Sequence, residues 1–430
     1  MKRIILTTSF ILYYFFVFAQ QPGTLRFQSQ VFSNYDSVMN LTYGSNIPAN
    51  QTTAIDLKLD IYLPSGDSSI TRPVIFFTHG GSFIGGSRTT KDVVYLCKEF
   101  AKRGYVTVSQ SYRLGFDNLN FNTINATRAV WRSMQDGRAA VRFMKSQASV
   151  YKLDTNKFIY GGSSAGAFVG LHLAYLNTQA EIPVLVDTSE YSASNLNGVG
   201  GLKGSTNNLT NTSTVAAIVN LCGALADTAM ISEDDALLPI VSLHGTQDNI
   251  VPFATNTINI FGQPLLPVNG SWTITKKIRL MNGTSNMFTF CEASHVPYYD
   301  YNSPNGALYM DTTVNFISSF LYEKVLNLGL AQIQIAEKDS SSCITSGLAY
   351  NELDGLLIYP NPSNGMLNIK TDLNDIINLQ LTSMLGKIII NKTVAGNEII
   401  EINISDLSAG IYILTLKNKK ATSIRKIFKN

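Results

Sequence analysis

Apolar and polar positions along the first 330 residues predict strands and helices in turn. Residues 55–63 alternate with a period of two and end in P-S-G-D, which predicts an antiparallel strand closed by a turn. Residues 73–78 are almost all apolar, as in a central strand buried on both faces. Residues 126–147 carry apolar side chains at helical intervals and connect a strand at 105–109 to another at 158–160. Repeated β-α-β units of this kind predict a doubly wound, mostly parallel sheet with helices on both faces, an α/β fold.

Further strands are predicted at 215–221, 239–243 and 287–290, followed by a closing amphipathic helix at 308–326. Residues 188–213 interrupt this order, because they are rich in Asn, Ser, Gly and Thr and are too long for an ordinary connection. Two interpretations stay open for this insertion. It either covers or borders the active site above the strand ends, or it forms a disordered surface loop.

The C-terminal part of the chain has a different pattern. A polar stretch at 330–353 has the composition of a linker. Residues 354–430 contain short apolar runs separated by turn residues, which predicts a small all-β sandwich domain. These runs lie at 367–370, 376–382, 387–391, 399–404 and 411–417.

The chain begins with the basic pair Lys2 and Arg3, an apolar run to Phe18, and Ala19, the build of a secretory signal peptide. This run is shorter than the roughly 20 residues that a membrane span requires. We therefore expect cleavage after Ala19 and no stable membrane span afterwards. The predicted organisation is a signal peptide (1–19), an α/β domain (20–329), a linker (330–353) and a β-sandwich domain (354–430).

Composition favours an exported globular protein, since 45% of the residues are hydrophobic and only 15% are charged. The formal net charge is +3, but residues 417–430 carry six basic residues and no acidic one. The main part of the chain is mildly acidic, and a nucleic-acid partner is therefore not expected.

Four cysteines are compatible with a disulfide in an exported protein, but their positions do not fix the pairing. Cys222 and Cys291 each follow a strand-like run, which weakly favours that pair over one with Cys97 or Cys343. Four buried free thiols are the alternative. No Cys/His cluster has zinc spacing, and neither a metal nor a cofactor is expected.

Residues 162–166 read G-S-S-A-G between a strand and a helix-like segment. This is the G-x-S-x-G pattern, in which serine occupies a sharp strand-to-helix turn and the flanking glycines avoid collisions. Ser164 is therefore the candidate nucleophile. The backbone N–H of Ala165, at the start of the helix, is a candidate donor to a developing oxyanion. For the pentapeptide alone, an ordinary glycine-rich turn is the other interpretation.

A second motif, H-G-G-S-F at 79–83, directly follows the buried strand at 73–78. Glycine in such a loop lets backbone N–H groups turn into a cavity without steric cost. We expect the N–H groups of Gly81 and Ser82 to complete the oxyanion hole together with that of Ala165.

The next candidates are an acid and a base. Asp248 lies in H-G-T-Q-D-N-I-V-P at the end of a strand, where a carboxylate can hold the far nitrogen of a catalytic histidine. The order serine, acid, histidine leaves His295 as the base, because it is the only histidine beyond Asp248. The other histidines, His79, His172 and His244, are expected to pack or to stabilise their own turns. The carboxylates that compete with Asp248 are Asp227, Glu233, Asp234 and Asp235.

Together with Y-R-L at 112–114, these motifs make residues from about 27 to 327 resemble an α/β-hydrolase of the carboxylesterase and lipase type. The acetyl-esterase and hormone-sensitive-lipase-like members are similar. The resemblance implies catalysis by Ser164, His295 and Asp248 through an acyl-enzyme, without a cofactor. Ser82 stands where many relatives carry a third glycine, which keeps the backbone donor and narrows the pocket.

The C-terminal part resembles another family. Y-P-N-P at 359–362 and L-S-A-G-I-Y at 407–412, before a basic end, resemble the C-terminal sorting domain of the type IX secretion system. The resemblance implies that this secretion machinery is a partner and that the protein is secreted or held at the cell surface. A carbohydrate-binding sandwich is the alternative, which the absence of tryptophan beyond Trp272 disfavours.

The sequence therefore predicts a secreted serine esterase that hydrolyses carboxylic esters with small acyl groups, such as acetyl or feruloyl groups on polysaccharide. A peptidase of the prolyl-oligopeptidase type is one alternative, although no large gating domain is visible. A non-catalytic binding protein with a hydrolase fold is another.

Overall fold

A computed structural model describes residues 25–116, 121–189, 192, 195, 198–260, 263–339, 343, 357–370, 376–383, 387–395, 399–418 and 422–430. Its contacts divide the chain into two units, Met1–Cys343 and Ile344–Asn430. The expected signal peptide, 1–19, and most of the expected linker beyond residue 339 lie outside the described residues.

The first unit is built on one large sheet. The strands of this unit are β1 (Tyr35–Asn46), β2 (Ile55–Pro64), β3 (Arg72–Thr78), β4 (Val106–Gln110), β5 (Leu153–Ser163), β6 (Ala217–Leu221), β7 (Ala224–Leu225), β8 (Ile240–Gly245), β9 (Thr255–Ile260), β10 (Gln263–Gly270) and β11 (Ser285–Phe290). Of these, β7, β9 and β10 form a separate small sheet, and the other strands form the large one. The sheet has the order β1-β2-β4-β3-β5-β6-β8-β11. From β4 to β11 neighbouring strands are parallel, whereas β1 and β2 pair antiparallel with their neighbours. This arrangement is the predicted doubly wound, mostly parallel α/β sheet.

The helices of this unit cover both faces of the sheet. They are α1 (Lys91–Lys102), α2 (Thr123–Ser146), α3 (Ala148–Tyr151), α4 (Ala165–Tyr175), α5 (Glu233–Ala236), α6 (Ser271–Leu280) and α7 (Pro304–Phe320). Strand β3 is buried along its whole length, and its alternate residues enter different cores. Val74 and Phe76 pack in the core with α2 and α4, whereas Ile75 and Phe77 pack in the core with α1 and α7. A continuous apolar run is therefore what this position requires.

Two elements of the structure are not predicted by the pattern of apolar residues, and each has a physical reason. Strand β1 is not recognisable as a strand, because two register shifts in its pairing with β2 break the alternation. The hairpin β9–β10 contains Pro264 and Pro267, which cannot donate to a sheet ladder and are atypical of strands.

Residues 198–213, the continuous described stretch of the insertion, run along α2. Gln135 donates to the carbonyl oxygen of Val199 at 2.7 Å, and Thr206 donates to the buried Asp136 at 2.6 Å. None of the described residues of 188–213 lines the cavity beside Ser164. The described part therefore matches neither interpretation, because it does not border this cavity and is held to α2 by hydrogen bonds rather than disordered.

The disulfide corrects the sequence analysis. Cys291 is bonded to Cys343, with a Cα–Cα distance of 5.1 Å, and Cys97 and Cys222 are buried free thiols. The weakly favoured pair Cys222–Cys291 is wrong, because β8 lies between β6 and β11. Two strand spacings amount to about 9–10 Å, whereas a disulfide spans at most about 7 Å between Cα atoms.

The second unit is a sandwich of two antiparallel sheets. Its strands are β12 (Leu357–Tyr359), β13 (Met366–Lys370), β14 (Ile376–Ser383), β15 (Ile388–Ala395), β16 (Ile400–Asn403), β17 (Gly410–Lys417) and β18 (Thr422–Lys429). The sheets have the orders β12-β13-β16 and β15-β14-β17-β18. Both contribute to one buried core that includes Leu367, Ile369, Leu379, Leu381, Ile402, Leu414 and Leu416. This unit matches the predicted small all-β domain.

Across the described residues, no helix combines the length and the apolar character that crossing a bilayer would require.

Candidate active site

Ser164 occupies the junction between β5 and α4 with φ 54° and ψ −120°, a conformation that is unfavourable for a residue with a side chain. The turn is possible because its neighbours are glycine. A Cβ on Gly162 would lie 2.3 Å from the carbonyl carbon of Gly166, and a Cβ on Gly166 would lie 2.0 Å from the carbonyl oxygen of Thr78. The G-x-S-x-G spacing is therefore required by backbone packing against β3 and α4.

The structure brings Ser164, His295 and Asp248 together in one chain of hydrogen bonds. The Nε2 atom of His295 lies 2.8 Å from Oγ of Ser164, and its Nδ1 atom lies 2.6 Å from Oδ2 of Asp248. The three residues follow β5, β11 and β8, whose carboxyl ends share one edge of the parallel sheet. This geometry lets His295 accept a proton from the serine while Asp248 fixes its orientation.

Asp248 is buried, and both of its carboxylate oxygens accept hydrogen bonds. Its Oδ1 atom accepts backbone N–H groups from Ile250 and Val251 at 3.0 and 2.9 Å. Burial alone would raise the pKa of this carboxyl, but hydrogen bonds from His244 and His295 hold the pKa well below its usual range. Asp248 is therefore ionised at neutral pH.

His244 is a member of the site that sequence reasoning missed. Its Nε2 atom lies 3.0 Å from both Oδ2 of Asp248 and the carbonyl oxygen of Val251, so that nitrogen carries the proton. Its Nδ1 atom then accepts from the hydroxyl of Ser271 at 2.7 Å, and Ser271 accepts from Asn220 at 2.9 Å. His244 does hold its own turn, as expected, but it also orients the carboxylate that holds His295.

The competing carboxylates are used elsewhere. Asp227 accepts from the backbone N–H of Ala229, and Asp235 forms a reciprocal cap with Ser232 at the start of α5. Glu233 and Asp234 lie in the first turn of the same short helix.

The loop after β3 has an unusual backbone. Gly81, Ser82 and Phe83 have φ values of 112°, 54° and 60°. A Cβ on Gly81 would lie 2.3 Å from the carbonyl oxygen of Gly85, so only glycine fits there. The left-handed φ of Ser82 explains why glycine would also suit this position.

The Y-R-L motif supports that loop from behind. The hydroxyl of Tyr112 donates to the carbonyl oxygen of His79 at 3.1 Å, and the two rings stack with centroids 4.4 Å apart. The neighbouring Arg113 forms a buried ion pair with Asp136 at 2.9 Å. Burial lowers the pKa of His79 from 6.5 to about 4, so its ring is neutral and structural.

The loop that carries His295 is anchored to the nucleophile turn. The buried hydroxyl of Tyr298 lies 2.5 Å from Oγ of Ser163, the residue before Ser164. Burial raises the pKa of the nearby Asp92 carboxyl, and Ser163 opposes this shift. This contact fixes the base relative to the nucleophile from beneath.

A small apolar cavity of about 40 Å³ opens beside Ser164. Helices α2 and α4 form its inner walls, and residues of β9 and β10 form its outer wall. The side chains in it are mostly aromatic or aliphatic, among them Phe83, Phe116, Val130, Phe168, Val251, Ile258 and Leu265. No cluster of three or more His, Cys, Asp or Glu side chains within the described ranges could hold a metal ion.

Comparison with known proteins identifies both units. The model of the BD-FAE family, an α/β-hydrolase esterase family, matches residues 59–258, and that of the secretion system C-terminal sorting domain matches residues 357–430. The chain is an esterase-like α/β-hydrolase with a secretion sorting domain. The sorting domain indicates export by type IX secretion to the cell surface or the extracellular space. His295 lies beyond the matched range, so its place rests on geometry.

Two curated relatives from Caenorhabditis elegans match part of this hydrolase. Gut esterase 1 is 31% identical over 111 residues, which cover 26% of this chain and 19% of that protein. Neuroligin-like protein glit-1 is 32% identical over 120 residues, which cover 27% of this chain and 16% of that protein. The matched segment thus spans less than a fifth of either relative.

Solved structures of Thermogutta terrifontis esterase 2 are also similar to the hydrolase. The form phosphorylated by paraoxon has a TM-score of 0.44 at 20% identity, over 65% of this chain and 94% of that one. The propionate-bound form has a TM-score of 0.43 at 20% identity, over 67% and 96%.

Proposed function

We propose that this esterase-like hydrolase is a secreted serine esterase that cleaves carboxylic esters with short acyl groups. The observation that carries the proposal is the hydrogen-bond chain from Ser164 through His295 to Asp248, at the mouth of an apolar cavity. A nucleophile, a base and an orienting carboxylate in this geometry have the composition of an acyl-transfer site.

In the first half of the reaction, Oγ of Ser164 attacks the ester carbonyl carbon while Nε2 of His295 takes the hydroxyl proton. The carbonyl electron pair moves to oxygen, and the N–H groups of Gly81, Ser82 and Ala165 stabilise the resulting oxyanion. When the tetrahedral intermediate collapses, the C–O bond to the alcohol breaks. The alcohol leaves with the proton from His295, and the acyl group remains on Ser164.

In the second half, water attacks the acyl-enzyme while His295 takes a proton from it. When the second tetrahedral intermediate collapses, the bond to Ser164 breaks, His295 returns the proton to Oγ of Ser164, and the carboxylic acid is released. The ionised Asp248 stabilises the imidazolium form of His295 in both halves.

The volume of the cavity limits the size of the acyl group that can bind beside Ser164. A space of about 40 Å³ holds roughly three water-sized groups, which suits acetyl to butyryl groups. Its apolar walls offer hydrocarbon contacts rather than charge. Acetyl esters on polysaccharide are therefore preferred substrates over feruloyl esters, whose aromatic acid needs more space.

The test is replacement of the nucleophile. Ser164→Ala should lower kcat for p-nitrophenyl acetate by at least about 10⁴-fold, and it should prevent labelling by a fluorophosphonate probe. Ser189→Ala, at an exposed serine of the same unit, is the matched control and should retain both.

The alternatives give different results in the same experiment. Ester turnover that persists in a folded Ser164→Ala protein would overturn the proposal. Cleavage of a peptide panel without ester turnover would indicate a peptidase, and no labelling of the folded parent protein would indicate a binding protein.

A further inference from the structure

A second apolar cavity lies behind the first, further from Ser164. It has a volume of about 30 Å³ and is lined by residues of α2 and α4 and by residues near β7 and β10. Its own lining includes Trp131, Met134, Leu176, Pro183 and Met230.

The two cavities share three lining residues, Val130, Phe168 and Leu266. Phe168 lies one helical turn beyond Ser164 on α4 and is buried. Its ring makes an edge contact with Phe83 of the first cavity, at a centroid distance of 6.3 Å. On the other side it stacks on the ring of His172 in the second cavity, at 6.0 Å. The ring of Phe168 thus stands between the two spaces.

The polar side chains at the second cavity are already satisfied. Thr127 donates to the carbonyl oxygen of Thr123, and the indole N–H of Trp131 donates to that of Gly200. His172 uses both ring nitrogens, with Nδ1 at 2.8 Å from the carbonyl oxygen of Phe168 and Nε2 accepting the N–H of Ala226. A ligand in this space would therefore meet only hydrocarbon and ring faces.

We propose that Phe168 determines the acyl specificity of the site. Its ring ends the acyl pocket of the wild-type protein. When the ring is removed, the space behind it becomes the far end of a longer site for a medium-chain acyl group. This inference rests on the proposed function, because the acyl group must start at Ser164. A saturated hydrocarbon chain fits the chemistry of the second cavity, which offers no free hydrogen-bonding side chain to a polar substituent.

The experiment compares the full-length protein with Phe168→Ala on p-nitrophenyl esters from acetate to octanoate. The wild-type protein should prefer the short esters, in the range from acetate to butyrate. Removing the ring joins the two cavities, and each additional buried methylene is worth about a factor of four in binding. The ratio of kcat/KM for octanoate to that for acetate should therefore rise at least tenfold.

A second substitution tests where the chain lies. In the Phe168→Ala background, Ala226→Leu places a larger side chain in the second cavity only, and it should cancel most of the gain on octanoate. Phe168→Leu serves if the alanine variant does not fold, and it should give a smaller rise in the same direction. Val184→Ala, at a fully exposed position, should leave the chain-length profile unchanged.

The outcomes separate this inference from the proposed function. An octanoate-to-acetate ratio that stays within twofold of the wild-type value in a folded Phe168 variant would overturn the inference alone. A folded wild-type protein without turnover of any ester would overturn the proposed function, and the inference with it.

Discussion

His172 is a buried histidine on the nucleophile helix that the proposed chemistry does not use. Burial lowers its pKa from 6.5 to about 4, although the hydrogen bond to the carbonyl oxygen of Phe168 opposes this shift. The folded protein therefore favours the neutral ring. Protonation favours the unfolded chain, so the stability that depends on this ring is present above pH 6.5 and is lost as the pH falls toward 4.

We predict that His172→Gln weakens the pH dependence of unfolding. Between pH 7.5 and pH 5, the wild-type protein should lose about 2 kcal/mol of stability through this one group, and the variant should lose that much less. Urea denaturation at the two pH values measures the difference. An equal loss in both proteins would show that His172 is not the titrating group.

At the residue scale, the sequence predicts those site residues whose positions are fixed by backbone sterics or by their order along the chain. Gly162 and Gly166 are fixed by contacts that any Cβ would violate, and such positions leave a motif in the sequence. The hydrogen bond from His244 to Asp248 leaves no comparable signal, since a histidine four residues before an aspartate can point in many directions. The geometry of the folded loop was needed to find it.

At the scale of elements, the loops after β5 and β11 must be held in register for Ser164 and His295 to meet. The contact between Tyr298 and Ser163 does this without touching the reacting atoms. Tyr298 is therefore a positioning residue in our proposal, and its hydroxyl rather than its ring carries the effect.

Tyr298→Phe should lower kcat for p-nitrophenyl acetate roughly tenfold and leave KM nearly unchanged, because substrate contacts stay while the base loses its fixed position. Tyr299→Phe is the control, since Tyr299 is exposed and its ring contacts the ammonium group of Lys91. If Tyr298→Phe raised KM and left kcat unchanged, the positioning role would be excluded.

The sequence predicts most central strands and the helices between them, since continuous apolar runs and helical spacing result directly from burial. It does not predict the hairpin β9–β10, although that element walls the cavity. The prolines that interrupt its pairing also remove the pattern by which strands are recognised. The pairing of Cys291 with Cys343 was equally hidden, because Cys343 reaches β11 only through the course of the chain after α7.

At the scale of the whole molecule, the two units have separate hydrophobic cores. In the first unit, Glu337 and Lys338 lie at the edge of β11. The N–H of Thr289 donates to the carbonyl oxygen of Lys338, and the N–H of Lys338 donates to that of Met287. Part of the expected linker therefore belongs to the hydrolase side of the chain. It covers a strand edge that would otherwise be open to pairing with other chains.

A protein that ends at Cys343 should keep kcat/KM for p-nitrophenyl acetate within about twofold of the full chain, because each unit has its own core. A protein that ends at residue 329 lacks both the segment that pairs with β11 and the disulfide. It should therefore melt at a lower temperature than the protein that ends at Cys343. Thermal unfolding and ester turnover of the two truncations provide the measurement. Loss of activity in the longer one would show that the sorting domain contributes to the site.

The position of the disulfide decides what proteolysis can do to this chain. One cut between residues 291 and 343 leaves both fragments joined through the cystine. After a cut beyond Cys343, no disulfide joins the two fragments, since no cysteine lies beyond that residue. A nick between Cys291 and Cys343 therefore leaves a covalently continuous protein, whereas a cut in the chain between Cys343 and the sorting domain removes the covalent link between that domain and the hydrolase.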